Sequence, residues 1–444
     1  MNKIVRIDEV SLSELQAQWV NSFYLHMERV AMIKLERIPN EYCADHLLLL
    51  VGANPLPNYV AARLLTKPGS TIHLLHTQVT GESADSLQKV IKEHQKKVTF
   101  ELWQVDPADS TQIQSKVKEI VQTIQRSESV GLNYTGGTKT MAVHTYRVLE
   151  QTKQPIIFSY LDAQTLTLRF DGIGGEQTRS IDVGKVCTVN LNELAQLHGF
   201  AGFSHTPEQV TNNNLTEDIL AALVEIHLTQ EGYEQWREYG GTAYVDLPDL
   251  HTWPVITPFM TAIEQHLGIN ATAEQVAGAM GRCPQLVSYS KWFNGTWLEE
   301  YVLRQLATLP ANVGINSYGM GIEPIRGKGN SGSASFDLDV AAMRGYQLFA
   351  FSCMVAGVRA TGKRAKKLRN TYKEHLIEVF VRARQLGGEE ARVALVCHYD
   401  NPLALQAELE ESLLSKDIVR VFGRQHLLKL NEYLYEWFEN AHNT

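Results

Sequence analysis

The stretch VGLNYTGGTKTMAVH, residues 130–144, decides the fold of the chain around it. An apolar lead-in, a glycine pair and apolar residues at helical spacing follow one another, and this order predicts a strand, a tight turn and a helix. Paired glycines let the backbone approach a ligand, and threonine hydroxyls with a helix N-terminus offer donors to an anion. Lys139 adds a positive charge. The alternative is a tight turn whose glycines are purely structural.

Strands and helices alternate on the N-terminal side of this turn. Strands are predicted at 46–51, 71–75, 98–103 and 129–134, and helices at 59–65, 84–95 and 110–126. This alternation is typical of an α/β fold with a doubly wound parallel sheet. A hairpin is predicted at 155–170, and a helix at 12–35 precedes the sheet.

Three loops follow predicted strands and are expected to meet, because ligands of such sheets sit beyond the carboxyl ends of the strands. The predicted ligand-binding residues are Asn54, Pro55, Leu56, Thr77, Gln78, Thr135, Gly136, Gly137, Thr138 and Lys139. Neither a Walker loop nor a GxGxxG after the first strand is present, which argues against a P-loop enzyme and a nucleotide-dependent oxidoreductase.

Composition sets outer bounds on the function. The length of 444 residues predicts two or three domains, and the net charge of −8 argues against a basic coat over the whole surface. The five cysteines are dispersed without a CxxC pair, which fits a reducing compartment. No apolar run is long enough to cross a bilayer, so we expect a cytoplasmic protein that does not enter a membrane.

Carboxylates cluster in the C-terminal part of the sequence. A helix capped near Asn294 carries Glu299 and Glu300, and a strand at 335–343 carries Asp337 and Asp339 on one face. Carboxylates in this arrangement suit Mg²⁺ or Mn²⁺ in a nuclease, where the metal activates water and stabilises the phosphorane. The alternative is an edge hairpin with solvated aspartates.

A basic segment follows the second strand of this region, at 347–353. Residues 359–384 contain nine Lys and Arg against two Glu. This density in an acidic protein suits a polyanion, although charge runs are usually solvated helix faces. The predicted nucleic-acid-binding residues are Lys363, Lys366, Lys367 and Arg369.

Two sets of motifs resemble a known family. NxTGGTK after a strand resembles the ligand loop of CARF domains, the sensor modules of type III CRISPR ancillary effectors, and VNLNELAQLHGF at 189–200 resembles their exit segment. The resemblance implies a homodimer that binds a cyclic oligoadenylate, the tetramer being the expected ring. GTWLEEYV, DLDV, a strand closing in SC, and RARQLGG resemble the restriction-endonuclease-like half of CARF-linked nucleases. That implies Asp339 as the metal-binding aspartate and Glu300, or its neighbour Glu299, as the helix carboxylate, with Asp337 beside them.

The sequence departs from the PD-(D/E)xK pattern at one place. The second strand should carry an acid and, two residues later, a lysine, but it reads Ser352-Cys353-Met354. Either the functional groups have moved to the next helix, where Lys373, Glu374 and Glu378 are the candidates, or catalysis is lost. The basic segment favours the first explanation. Cys353 is interpreted as a buried strand cysteine and not as a nucleophile.

These observations combine into one hypothesis. The chain is expected to comprise an N-terminal extension (1–44), a Rossmann-like CARF domain (45–203), a bridging region (204–290) and a PD-(D/E)xK-like nuclease domain (291–444). Cyclic oligoadenylate would activate cleavage of DNA or RNA, with Asp339, Glu300, Lys373 and Glu378 as catalytic residues and Mg²⁺ or Mn²⁺ as cofactor. The alternatives are a non-catalytic sensor that grips nucleic acid or a partner, and a sensor domain that degrades its own ligand.

Overall fold

The computed structural model describes residues 38–171, 178–204, 216–241, 253–268, 292–325, 336–356, 362–414 and 416–441. The predicted helix at 12–35 lies outside the described residues. The same holds for a helix that the sequence predicts at 272–281 and for most of the polar segment 204–214, where the predicted bridging region begins. Within the described parts the chain forms two sheets, each covered by helices, and a two-stranded sheet between them.

The first sheet has seven strands in the order β3-β2-β1-β4-β5-β6-β7. Their bounds are Ala44–Leu50 (β1), Thr66–His76 (β2), Thr99–Gln104 (β3), Val130–Asn133 (β4), Ile156–Asp162 (β5), Thr167–Phe170 (β6) and Arg179–Asp182 (β7). The first five strands are parallel, and β6 and β7 are added antiparallel. β1 and β4 are neighbours, so the strand order reverses between them.

Helices follow the strands as the alternation predicts. They span Leu56–Leu65 (α1), Gly81–His94 (α2), Ser110–Thr123 (α3) and Lys139–Glu150 (α4), and Leu191–Leu197 (α5) follows the sheet. Local chemistry fixes several starts: Asp109 accepts two backbone N–H groups at the start of α3, and Asn190 with Glu193 forms a capping box on α5.

The second sheet has five strands in the order β14-β13-β12-β11-β9. The remaining strands are Gly202–Phe203 (β8), Ile315–Ile322 (β9), Pro324–Ile325 (β10), Leu338–Arg344 (β11), Gln347–Met354 (β12), Arg392–Cys397 (β13) and Val419–Phe422 (β14). β12 is antiparallel to β11 and parallel to β13, which is the mixed arrangement expected when a helix connects β12 to β13.

The helices of this half continue the numbering. They are Glu217–His227 (α6), Gln230–Gly241 (α7), Thr257–Leu267 (α8), Trp297–Ala307 (α9), Gly362–Gly387 (α10), Pro402–Leu413 (α11), Arg424–Leu427 (α12) and Leu430–Asn440 (α13). The described part of the predicted bridging region belongs to the core of the second sheet, because α6, α7 and α8 bury apolar residues in one cluster with α9 and α13.

The two halves are packed against each other directly. One apolar cluster runs from Leu49 in β1 through Val183 and Leu194 to Leu348 in β12. Backbone bonds add to it, since Val189 N–H donates to the Gly345 carbonyl (2.9 Å). β8 also pairs antiparallel with β10. A shared core of this kind lets a change in one half strain the other.

The fold class predicted from sequence is confirmed: a Rossmann-like domain with a doubly wound parallel sheet is followed by a second α/β domain. The sequence also shows a polar, glycine-rich segment at 319–332 and predicts a single closing helix at 425–440. The first four residues of that segment, 319–322, belong to strand β9, whose pairing with β11 overrides its weak strand composition. The prediction of one closing helix was wrong, because the structure divides it into α12 and α13.

None of the helices in the described part of the chain is both long enough and apolar enough to span a bilayer.

Candidate functional site

The TGGTK turn lies against the end of β1, at the point where the strand order reverses. A methyl group on Gly136 would lie 2.2 Å from the Leu50 carbonyl oxygen and 3.0 Å from Asn58 Oδ1. Gly137 has a φ of +71°. The turn therefore requires glycine for a close approach at one position and for a left-handed backbone at the next. In doubly wound sheets this crevice is where ligands bind.

Both threonines of the turn hold the loop in place. Thr135 Oγ1 accepts the Leu161 N–H at 2.7 Å, which ties the turn to β5. Thr138 caps α4 by accepting the Met141 N–H at 3.2 Å, and its hydroxyl donates to the Pro107 carbonyl at 3.1 Å. The Thr138 hydroxyl is occupied as donor and acceptor, whereas the Thr135 hydroxyl only accepts a bond among the described residues. The turn therefore offers an anion the exposed N-terminus of α4, the Lys139 ammonium and the Thr135 O–H.

Lys139 is the first residue of α4 and is exposed. Among the described residues, no hydrogen bond or ion pair holds its ammonium. The positive charge stands beside the N-terminal end of a helix, which costs electrostatic energy unless an anion compensates it.

The loop after β2 supplies a second rim of the crevice. Thr77 N–H donates to Thr80 Oγ1 at 2.9 Å, and Thr80 N–H donates back to Thr77 Oγ1 at 3.2 Å. Thr77 is buried by this reciprocal turn, whereas Gln78 and Val79 are exposed. Of the predicted pair, Gln78 is the side chain that is available to a ligand.

The loop after β1 supplies the third rim. Pro55 and Leu56 are buried, so they anchor the start of α1 and present no side chain to a ligand. Asn54 Oδ1 accepts the Leu56 N–H at 3.0 Å. Its amide nitrogen is buried without an acceptor among the described residues.

A group of tyrosines beside the turn was missed by the sequence analysis. Tyr134 stacks on Tyr160 with ring centroids 5.7 Å apart and meets Tyr146 edge-on at 5.9 Å. The Tyr134 hydroxyl donates to Asp171 at 3.0 Å, and burial, followed by this bond, raises its pKa. Tyr160 is 37% exposed at the carboxyl end of β5. An aromatic residue directly before a glycine turn was the available signal.

The second predicted site centres on Asp339 in β11. Its Oδ2 accepts a hydrogen bond from the Ser352 hydroxyl at 3.1 Å and another from the Cys353 N–H at 2.6 Å. Burial raises the pKa of Asp339, and the nearby charge of Asp337 raises it further. Asp337 itself is exposed just before the strand.

Glu299 is the carboxylate of α9 whose charge acts on this site. The charges of Asp339 and Glu299 both contribute, after burial, to raising the pKa of the Cys353 thiol. Glu300 is buried in α9. The thiol is therefore held neutral, which agrees with its interpretation as a structural cysteine. His375 on α10 also acts on Asp339 electrostatically, a residue that sequence reasoning did not single out.

The residues at this site do not fit a divalent metal. The described parts of the chain contain no group of three or more His, Cys, Asp or Glu side chains that could hold a metal ion. Where the pattern requires an acid, Ser352 bonds to Asp339, and Met354 lies two residues further on the same face of β12. A hydroxyl and a thioether are poor ligands for Mg²⁺ or Mn²⁺.

The basic helix is α10, and its cations fall into two groups. Lys363, Lys366 and Lys367 are exposed. Arg369 and Lys373 both pair with Glu408 on α11, and the hydrogen bond from Lys373 is the first cause of the lowered Glu408 pKa. Lys373, the predicted catalytic lysine, is therefore engaged in an ion pair with Glu408. Glu378 is exposed on the same helix.

A cavity of about 420 Å³ opens at the opposite, amino edge of the first sheet. Arg63, Lys67, Lys96 and Lys97 are among its lining residues. It contains none of the three loops that form the crevice, so it is not the predicted ligand site.

The sheet order and the convergent loops define the class of protein: a Rossmann-like domain joined to a second α/β domain. Residues 47–182 match the family model described as the Card1 CARF domain. No curated protein matches the chain.

Two solved structures share the architecture over almost the whole chain. One is protein VC1899 from Vibrio cholerae, at 15% identity and a TM-score of 0.59, covering 90% of this chain and 99% of that one. The other is Can2 from Sulfobacillus thermosulfidooxidans in complex with cyclic tetra-adenylate, at 18% identity and a TM-score of 0.59, covering 88% and 99%. At these identities the similarity establishes the fold.

Proposed function

We propose that the chain is a cyclic-oligoadenylate sensor of type III CRISPR defence, with cyclic tetra-adenylate as the ligand. The observation that carries the proposal is the crevice between β1 and β4, where the TGGTK turn presents a helix N-terminus and an uncompensated Lys139. The match of this region to a CARF family model and the cyclic tetra-adenylate in the similar Can2 structure support the same ligand.

The chemistry of the crevice suits a ring of phosphodiester-linked adenosines. Phosphates would take the N–H groups of α4 and the Lys139 ammonium, both of which favour anions. Adenines would stack on the exposed face of Tyr160, which Tyr134 supports from behind. Gln78 is placed to read a base or sugar edge at the rim.

A homodimer is part of the proposal, because a ring of even size can occupy the axis of an isologous dimer. Two large apolar side chains beside the ligand loops support it. Val79 is 90% exposed in the loop after β2, and Val143 is 61% exposed on α4. Burying them against a second copy would remove apolar surface from water next to the ligand.

For the C-terminal domain, the geometry supports nucleic-acid binding without catalysis better than it supports cleavage. Ser352 and Met354 replace the acid and the lysine of the nuclease pattern, and Lys373 is paired with Glu408. Metal-dependent cleavage of DNA or RNA, through Asp339, Glu300, Lys373 and Glu378 with Mg²⁺ or Mn²⁺, is the second candidate. Its support is the proximity of Asp339 and Glu299 around Cys353.

Lys139→Ala is expected to weaken binding of cyclic tetra-adenylate by roughly tenfold, because one charge-assisted contact to phosphate is lost. Isothermal titration calorimetry measures the effect, and for the unaltered protein it should give one ring for two chains. Lys153→Ala is the matched control, since Lys153 is exposed beyond the other end of α4. Equal affinity of the two variants for the ring would show that Lys139 does not contact the ligand. If the unaltered protein did not bind the ring, the proposed function would be wrong.

The unaltered protein is expected to cleave neither RNA nor DNA when cyclic tetra-adenylate and Mg²⁺ or Mn²⁺ are supplied together. The physical reason is that β12 carries Ser352 and Met354 where the nuclease pattern has an acid and a lysine. Gel assays on single- and double-stranded substrates measure this outcome. Cleavage that Asp339→Ala abolishes would instead establish the nuclease, and Lys373→Ala and Glu378→Ala would then locate its remaining groups.

A further inference from the structure

The C-terminal end of the basic helix touches the ligand loop. The helix α10 passes into a short 3₁₀ turn, Gly388–Glu390, in which Gly388 has a φ of +71°. A methyl group on Gly388 would lie 2.5 Å from Asn54 Nδ2 and 2.6 Å from Glu390 Oε2. Glycine at this position therefore lets a residue of the ligand loop and a carboxylate of the second domain come close to the same point.

Only one of the two polar side-chain atoms of Asn54 has a hydrogen-bond partner among the described residues. Its oxygen accepts the Leu56 N–H, whereas its amide nitrogen is buried and has no acceptor among the described residues. An unsatisfied buried donor is costly, so the amide gains from any acceptor that a small movement can bring to it. One acceptor close to this point is the carboxylate of Glu390, and in the proposed complex a phosphate of the ligand is another.

Glu390 is a buried carboxyl group, with 2% of its surface exposed. Burial, as the largest cause, raises its pKa to about 7. Charged and titratable groups act on it from every side: Glu389 in the same turn, Arg384 on α10, Arg392 on β13, Tyr160 on β5 and Tyr346 between β11 and β12. Arg384 pairs with Glu389 at 3.4 Å, and the Arg392 guanidinium donates to the Glu390 main-chain oxygen at 2.9 Å.

We propose that Glu390 is a positioning residue of the ligand site, whose ionised carboxylate competes with a ligand phosphate for the amide of Asn54. The inference rests on the proposed function and adds a residue that would control the affinity for the ligand. Ligand binding then favours protonated Glu390, because an anion placed nearby, and the engagement of the Asn54 amide by that anion, both disfavour the charge of the carboxylate. Glu390 ends the 3₁₀ turn that follows α10, the helix that carries Lys363, Lys366 and Lys367.

The test is the affinity for cyclic tetra-adenylate at pH 6 and pH 8, measured by calorimetry on the full chain. If the ligand raises the Glu390 pKa by one unit from about 7, binding by the unaltered protein weakens about fivefold between pH 6 and pH 8. Glu389→Gln is the matched control, because Glu389 is the exposed neighbour in the same turn, and it should keep the full pH effect. Glu390→Gln should show a smaller difference in affinity between pH 6 and pH 8 than the unaltered protein, because the carboxyl group that the inference makes responsible for it is absent.

Two results would overturn the inference while leaving the proposed function intact: the same pH effect in Glu390→Gln as in the unaltered protein, or no pH effect in the unaltered protein. Failure of the unaltered protein to bind the ring at either pH would overturn the proposed function itself. Asn54→Ala tests the contact from the other side and does not depend on the folding of the buried variant. It should bind the ring more weakly at pH 6 and show the reduced pH effect of Glu390→Gln. An unchanged pH effect would show that Glu390 and the ligand phosphate do not compete for the Asn54 amide.

Discussion

Replacing Gly136 by alanine is expected to abolish detectable binding of cyclic tetra-adenylate and to lower the free energy of unfolding by about 3 kcal/mol. The new methyl group would lie 2.2 Å from the Leu50 carbonyl oxygen, so the turn must move away from β1. That movement displaces the N-terminus of α4 and Lys139, and a displacement of about 1 Å is enough to lose a positioned phosphate contact. Calorimetry with the ligand and chemical denaturation measure the two effects.

Gly81→Ala is the control for this substitution. Gly81 is the first residue of α2, and the nearest atom to an added methyl group is His76 Nδ1 at 3.7 Å, an ordinary contact. This variant should fold with unchanged or slightly greater stability, because alanine favours the helical conformation over glycine. If Gly136→Ala bound the ring as well as Gly81→Ala does, the crevice between β1 and β4 would not be the ligand site.

Replacing Lys363, Lys366 and Lys367 together by alanine is expected to weaken nucleic-acid binding by roughly 100-fold at 0.1 M salt. The three side chains are exposed on the first turns of α10, at spacings that place them near one another. Each phosphate contact contributes about one unit to the slope of log affinity against log salt, so the slope should fall by about 3. Fluorescence anisotropy of a labelled oligonucleotide, measured over a salt series, gives both quantities.

The matched control removes three exposed lysines from the other domain: Lys89, Lys96 and Lys97. Net charge changes equally in both variants, so a general loss of attraction for polyanions would affect them alike. Equal weakening of nucleic-acid binding in the two variants would show that the basic helix is a solvated face without a specific role in binding. Arg369 and Lys373 are left unchanged because Glu408 pairs with both of them.

Family motifs predicted part of the C-terminal site without the tertiary structure. The ordered motifs located Asp339 on a strand and a carboxylate on the preceding helix, and the structure places that strand and helix side by side. The hypothesis that catalytic groups lie on the following helix depends on the position of the Lys373 side chain, which the sequence does not give. Its ammonium is bonded to Glu408, a residue 35 positions later on another helix, and no pattern in the sequence connects the two.

The sequence by itself determined the fold class, most of the strands and helices, and the three loops that meet at the crevice. These features are encoded locally: periodicity places side chains on one face, turn residues mark the ends, and parallel strands bring their carboxyl ends to one edge. The glycine pair at 136–137 was predicted to let the backbone approach a ligand, and in the structure Gly136 lies against the Leu50 carbonyl oxygen.

Only the tertiary structure decided which of these residues are free to act. The Thr138 hydroxyl is used to hold the loop, and Pro55 and Leu56 are buried, although all three residues belonged to the predicted ligand set. The contact of Asn54 with Gly388 joins residues more than 300 positions apart. The physical reason is that hydrogen bonding, burial and the resulting pKa shifts depend on every neighbour in space, whereas sequence patterns report only the neighbours along the chain.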